Sequence, residues 1–220
     1  MSFGVGGGLA SSAVGSAVNQ AIGKPSGLAA GSPSHLEINW VDFNYPPLIR
    51  IIHYDAGELP NVLSGIVRCF HLSFAITVMA CLLNFIDTCV IVSSTEAPTK
   101  WVIQSGLHLI LLPVAALATF YSGYRGLAEP DSSLAWRFKV AQPILGMFYF
   151  FMGILPFGCA HGLAELGQIS DHTGGKGSGY WTIAIILESV LFLMNALLAC
   201  LNTARASKFD GFTGGPAGRF

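Results

Sequence analysis

Four long apolar runs, separated by short polar links, constrain this chain more than any other feature of its sequence. They cover residues 70–92, 102–121, 140–160 and 181–201. Each run is about 20 residues long, which at 1.5 Å per residue of helix matches the roughly 30 Å hydrocarbon core of a bilayer. The pattern predicts an all-α integral membrane protein, a bundle of four transmembrane helices.

The composition agrees with a membrane protein. Hydrophobic residues make up 52% of the chain and charged residues 10%, whereas a soluble domain carries about 25% charged residues. The N-terminus lacks the basic region and apolar core of a cleaved signal peptide, so we expect the first span to direct membrane insertion. The five cysteines lie in or beside the spans, and their odd number argues against a disulfide framework.

The basic residues predict the orientation of the bundle. With four spans, both tails share a side with the link between spans two and three. That side carries nine basic residues: Lys24, Arg50, Arg68, Arg125, Arg137, Lys139, Arg205, Lys208 and Arg219. The opposite side carries only Lys100 and Lys176. Because basic residues accumulate on the cytosolic side, we expect both termini to be cytosolic.

The chain ahead of the first span divides into two parts. Residues 1–34 are rich in Gly, Ser and Ala, which is typical of a flexible tail, although a weak apolar periodicity allows a helix formed on a membrane. Residues 35–69 contain Asp55 followed three residues later by Glu58, a pattern that resembles a capping box. We therefore expect a cytosolic, interfacial amphipathic helix before the first span, lying flat on the inner leaflet.

Aromatic residues concentrate in two stretches expected at the cytosolic membrane surface, one before span one and one at the end of span two. Amphipathic rings gather at headgroup level, and an arginine there reaches anionic lipid. Packing of the rings against the bundle is an equally good interpretation. The predicted membrane-interface residues are Trp40, Phe43, Tyr45, Phe120, Tyr121, Tyr124 and Arg125.

Several of these residues belong to stretches that resemble the secretory carrier membrane proteins. The stretches are Asn39-Trp40, Pro46-Pro47, Ile51-Ile52-His53-Tyr54-Asp55, Glu58-Leu59-Pro60, Asp131-Ser132-Ser133-Leu134 and Leu187-Glu188-Ser189. They cover roughly residues 38–205. The resemblance implies four spans, cytosolic tails and a role in vesicle trafficking.

The chain departs from the pattern of that family in two places. After span two the family carries a basic and aromatic peptide, whereas here the stretch 120–129 keeps one arginine, Arg125, and gains Glu129. Clusters of about four or more basic residues are typical of phosphoinositide binding, so we do not expect strong inositide binding here. The chain also lacks Asn-Pro-Phe motifs, so docking to endocytic adaptor domains does not carry over. The chain is similar to a short, divergent member of the family.

Polar residues inside the predicted spans are costly and need an explanation. Counted from the ends of the spans, Asn84, His108 and Glu188 fall at one depth, roughly 10 Å below the non-cytosolic surface, and Asp87 lies one turn beyond Asn84. We expect an intramembrane polar cluster of Asn84, Asp87, His108 and Glu188. Interhelical hydrogen bonds are one role for it, and a proton or cation relay is the other.

No nucleophile–base pair, metal-ligand spacing, nucleotide motif or basic nucleic-acid patch is present in the sequence. We therefore predict no enzyme, no cofactor, no catalytic residue and no metal site. The predicted function is vesicle trafficking in exocytosis, endocytosis and recycling, at the Golgi, endosomes, secretory vesicles or plasma membrane. Lipid, other trafficking proteins or a second copy are the expected partners. The alternatives are a small channel or transporter that uses the polar cluster, and an accessory subunit of a larger membrane complex.

Overall fold

The structure, a computed structural model, describes residues 38–129, 131–156, 158–168 and 178–209. The predicted tail 1–34 lies outside these described residues, as do residues 210–220 of the predicted C-terminal tail 202–220.

Four long helices make up most of the described chain. They are α1 (Asn61–Ser94), α2 (Lys100–Ala128), α3 (Ser132–Ile154) and α4 (Ser178–Ala206). Two short 3-10 segments, Ala56–Glu58 and Leu163–Gln168, accompany them. Outside the helices, an isolated antiparallel bridge pairs Tyr45 with Ile52. The predicted all-α class is confirmed.

The helices form a closed ring in chain order. α1 packs against α2, α2 against α3, α3 against α4, and α4 returns to α1. This arrangement is that of a four-helix bundle in which short links join neighbouring helices. At Gly123 of α2 a Cβ atom would lie 2.5 Å from the Phe138 ring and 2.8 Å from the Phe70 ring, so the absent side chain lets α1, α2 and α3 approach closely.

Polar and apolar side chains are distributed as in a membrane protein. Thr77, Ser105 and Asn195 are fully buried between helices. Large apolar side chains point outward instead, among them Ile103 at 68% exposed and Ile183 at 67%. A bundle with apolar residues outside and hydrogen-bonding residues inside fits a lipid environment.

Three helices have the length and apolar composition to cross a bilayer: α1, α2 and α4. Three of the four predicted spans therefore correspond to helices long and apolar enough to cross a membrane, whereas a fourth span is not shown. The reason lies in the bounds of α3. It begins at Ser132, where Asp131 accepts a hydrogen bond from the Ser133 amide at 2.8 Å as an N-cap, and it ends at Ile154.

The predicted third span, 140–160, therefore does not form one helix. Pro156 ends it, because a proline disfavours helical backbone in the residue before it. The apolar part of α3, residues 140–154, is about 22 Å long, which is less than a bilayer core. The chain then turns back into the bundle through residues 158–168, which we call the re-entrant segment. Cys159, Ala160 and His161 of this segment are fully buried.

The predicted interfacial helix ahead of span one is not shown. Asp55 caps only a 3-10 turn, since its side chain accepts from the Gly57 amide at 2.7 Å. Pro60 follows at the N-cap of α1, and from Asn61 the chain runs as one uninterrupted helix of 34 residues into the apolar run. The expected helix 55–69 is thus divided between the turn and the first two turns of α1.

Candidate functional site

A spine of polar side chains joins α1 to α4. Asn195 donates from its Nδ2 to Thr77 Oγ1 at 2.8 Å and accepts from Ser73 Oγ at 2.6 Å. Nearer the end of α4, Asn202 donates to the Cys69 carbonyl at 3.3 Å. Nearer its start, Glu188 accepts from Asn84 Nδ2 at 3.1 Å.

Residues 188, 195 and 202 recur every seven positions, which keeps them on one face of α4. Their partners on α1 fall from 84 to 69 as the α4 numbers rise, so the two helices are antiparallel and held in register. The spine was not predicted, although its seven-residue spacing is visible in the sequence. Asn202 bonds a main-chain carbonyl, while Asn195 bonds side chains.

The predicted polar cluster lies at one end of this spine. Asn84 and Glu188 meet directly, and the Asn84 amide also donates to the Cys159 carbonyl at 2.7 Å. His108 lies 3.3 Å from the Cys159 sulfur through its Nδ1, so it reaches the others only by way of that residue. Asp87 does not join them by a hydrogen bond. Its Oδ1 accepts from the Tyr180 hydroxyl at 2.5 Å.

The re-entrant segment supplies two titratable residues to the same end of the bundle. His161 lies between Trp101 and Trp181, with ring centroids 5.4 Å and 5.2 Å away. Its Nδ1 is 3.3 Å from the Glu165 carboxylate, and both residues are buried. Both residues follow the third apolar run in the sequence, yet the segment folds inward and buries them.

The opposite end of the bundle is covered by residues 38–60, which we call the strap. His53 is its centre: Nδ1 lies 2.9 Å from the Asp42 carbonyl and Nε2 2.8 Å from the Glu58 carboxylate. Burial acts to lower the pKa of His53, but the hydrogen bonds to Glu58 and Asp42 and the Glu58 charge outweigh it, so the pKa of His53 is raised. Both ring nitrogens face acceptors, which is the environment of an imidazolium.

Trp40 fastens the strap to the last turn of α2. Its indole Nε1 donates to Glu129 at 2.6 Å, and Glu129 also accepts from Arg125 Nε at 3.1 Å. The Arg125 guanidinium lies 5.2 Å from the centre of the Trp40 ring, within cation–π range. Glu129, which departs from the family pattern, is thus the residue that joins Trp40 to Arg125.

The predicted membrane-interface residues differ in how exposed they are in the structure. Phe120 and Tyr124 are buried, and Trp40, Tyr45 and Tyr121 are half-buried against the bundle. Tyr45, for example, lies 2.8 Å from His71 through its hydroxyl. Phe43 alone among the predicted rings is exposed, at 51%.

A more exposed apolar surface was missed in the sequence. It is the loop 46–51, where Leu48 is 98%, Ile49 67% and Ile51 52% exposed. The signal was available, since a pair of prolines followed by three large aliphatic residues is typical of a projecting turn.

These sites hold hydrogen bonds, ion pairs and packed rings. Within the described ranges, no group of three or more His, Cys, Asp or Glu residues is arranged to hold a metal ion. The five cysteines are free thiols.

Comparison with known proteins identifies the family. The model of the SCAMP family matches residues 42–210. The chain belongs to the SCAMP family. No curated protein and no solved structure matches it. The match extends from the strap through all four helices, which confirms the resemblance seen in the sequence. Membership places the protein among membrane trafficking proteins rather than in a family known for enzymes.

In this SCAMP-family chain, most of the stretches that carry the resemblance form the strap and its attachments, whereas Leu187-Glu188-Ser189 lies in α4 at the re-entrant end. His53, Asp55 and Glu58 cap the turn or pair with each other, and Asp131 caps α3. These motif residues build the structure at one end of the bundle.

Proposed function

We propose that this protein acts in vesicle trafficking along the secretory and recycling pathway by inserting an apolar loop of its strap into the cytosolic leaflet. Membership of the SCAMP family supports the trafficking role. The nine-to-two distribution of basic residues supports the orientation, with both termini and the strap on the cytosolic side.

The proposal includes a fourth crossing, made by α3 together with residues 155–160. The helix alone is short for a bilayer, but the chain continues through apolar residues to Cys159 and Ala160, which are buried in the bundle. Non-helical backbone is tolerated at membrane depth where protein surrounds it. The Cys159 carbonyl is satisfied there by Asn84. A broken span of this kind returns the chain to the side that α1 reaches at Ser94.

The loop 46–51 is the observation that carries the proposal. It leaves the bundle at Tyr45, which contacts His71 and packs against Phe74 and Phe120 at ring distances of 6.1 Å and 6.3 Å. Those partners lie in the apolar runs of α1 and α2, so the loop begins at the membrane boundary. Side chains as exposed as Leu48 and Ile49 at that level gain about 25 cal/mol per Å² of apolar surface removed from water.

Charge has a smaller part in this insertion. Arg50 is the single basic residue of the loop, and each basic residue near an anionic leaflet contributes about 1 kcal/mol. We therefore expect the loop to insert into neutral bilayers nearly as well as into phosphoinositide-rich ones.

The experiment places an environment-sensitive fluorophore on a single cysteine at Leu48→Cys, in the otherwise cysteine-free full chain reconstituted in vesicles. Brominated acyl chains are expected to quench it strongly. The matched control is Ser207→Cys, an exposed position just beyond α4, where we expect little quenching. Equal, weak quenching at both positions would overturn the insertion, and quenching that needs anionic lipid would restore a charge-based mechanism.

A second measurement addresses the pathway. The tagged full chain should be found in Golgi, endosomal or secretory-vesicle membranes and move between them. Confinement to a single energy-transducing membrane would contradict trafficking and favour the accessory-subunit alternative.

A further inference from the structure

Two carboxyl groups are enclosed in the bundle at the re-entrant end. Asp87 is 4% exposed and Glu188 1% exposed, and one oxygen of each, Oδ2 and Oε2, has no hydrogen-bond partner. The ion pairs in the described part of the chain give neither of them a lysine or arginine. A carboxylate in such surroundings is costly unless it binds a proton or a cation.

A third carboxyl group, that of Glu165, is buried on the re-entrant segment. This segment meets the helices at the Cys159 carbonyl, which accepts from Asn84, the residue that also donates to Glu188. His161, beside Glu165, is fully buried, and its Nε2 has no hydrogen-bond partner. We call Asp87, His161, Glu165 and Glu188 the acidic cluster. Like charges held together away from water repel one another, which disfavours ionisation of all of them at once.

Titratable groups face this cluster from every element around it. They are Cys81 and Asp87 of α1, His108 of α2, Tyr149 of α3, Tyr180 and Glu188 of α4, and Cys159, His161 and Glu165 of the re-entrant segment. None of these is a permanent cation that could replace the proton.

We propose that the acidic cluster is a proton-binding site that holds the re-entrant segment in the bundle, so that the segment docks more tightly as the pH falls. With the orientation of the proposed function, the cluster opens toward the non-cytosolic side, where trafficking compartments differ in acidity.

The contacts provide the coupling between proton binding and docking. Glu188 accepts from Asn84, and the Asn84 amide also donates to the Cys159 carbonyl of the re-entrant segment. Glu165 lies on the segment, whereas Asp87 and Glu188 lie on the helices. When the pH rises and the cluster loses protons, repulsion between these carboxylates pushes the segment away from the helices.

The direction of the pH dependence follows from linkage. The docked segment holds the carboxyl groups together, so it binds protons more tightly than the undocked segment does. Docking stability is therefore present at low pH and is lost as the pH rises.

Hydrogen–deuterium exchange of amides 159–168, in the full chain in lipid nanodiscs, tests the site between about pH 5 and about pH 8, the range of histidine titration. After correction for intrinsic exchange, we expect exchange about tenfold faster at the upper pH, as for a coupling worth one pKa unit. Glu188→Gln and Glu165→Gln should each remove most of this difference. Glu129→Gln, the same change at the other end of the bundle, should leave it intact.

Corrected exchange that is independent of pH in the unaltered chain would overturn the proposal, as would a full pH dependence retained in Glu165→Gln. Residue 165 lies outside the four long helices, so Glu165→Gln still tests the proposal if Glu188→Gln fails to fold. Since the measurement needs no cell, its failure is distinguishable from failure of the trafficking role.

Discussion

The two ends of the bundle are each closed by a segment outside the four long helices, and they differ in how their polar groups are satisfied. In the strap, both nitrogens of His53 and the Trp40 indole have partners, as does the Tyr124 hydroxyl of α2, which donates to the Asp55 carbonyl of the strap. In the acidic cluster, Asp87, His161 and Glu188 each leave a buried atom unsatisfied. The strap end is therefore built for a fixed shape, whereas the re-entrant end keeps a capacity to bind protons.

The largest expected loss of stability comes from a substitution at a backbone position of the re-entrant segment. Gly162 has a φ of +32°, and a Cβ atom there would lie 2.5 Å from the Leu155 carbonyl oxygen and 2.6 Å from the Ile154 carbonyl carbon. Gly162→Ala should lower the free energy of unfolding by about 3 kcal/mol, from strain and overpacking together.

Thermal unfolding in nanodiscs measures this loss. Gly167→Ala is the matched control, because nothing lies within 4 Å of its Cβ position. Similar stability of the two variants would mean that the segment is not packed between α3 and the other helices.

The hydrogen bond between α1 and α4 comes next in size. Glu188→Leu removes the acceptor of the Asn84 amide, whereas Glu188→Gln keeps an acceptor oxygen. We expect Leu to destabilise the bundle by about 1 kcal/mol more than Gln. Unfolding of purified protein measures the difference, and equal stability would indicate that the contact contributes nothing.

At the strap end, Trp40→Phe keeps the ring but removes the donor to Glu129. We expect a loss of about 1 kcal/mol, seen as faster proteolysis within residues 38–60 in vesicles. Phe43→Leu, an exposed position on the same strap, is the control and should leave proteolysis unchanged. A strap no more sensitive in the first variant than in the second would show that Trp40 does not fasten it.

The smallest effect is the pH dependence of the strap. Because the pKa of His53 is raised, the stability from its pair with Glu58 is fully present below the ordinary value of about 6.5 and is lost as the pH rises through the raised value. Strap proteolysis should accelerate over that interval, and His53→Gln should remove the change. An acceleration that persists in His53→Gln would assign it to another group.

Apolar length was enough to predict the helices, and depth along them was enough to expect Asn84 and Glu188 together. The end of α3 was harder to predict from the sequence, because a proline inside an apolar run can either kink a helix or end it. The contact of Cys159 with α1 decides between the two outcomes in the folded chain. The burial of the predicted membrane-interface rings was hard to foresee for a different reason. Rings such as Phe120 and Tyr124 of α2 suit a membrane interface and a protein core equally well, and only their packing in the folded chain distinguishes the two.

Sidedness of the two ends is the most direct test of this architecture. Single cysteines at Asp42, Gly167 and Ser207, all exposed positions, are treated with a membrane-impermeant maleimide in sealed vesicles whose cytosolic face is outward. We expect labelling at residues 42 and 207, and labelling at 167 only after permeabilisation. Opposite sides for residues 42 and 207 would show that α3 does not complete a crossing. Labelling of residue 167 in intact vesicles would place the acidic cluster on the cytosolic side and contradict the orientation.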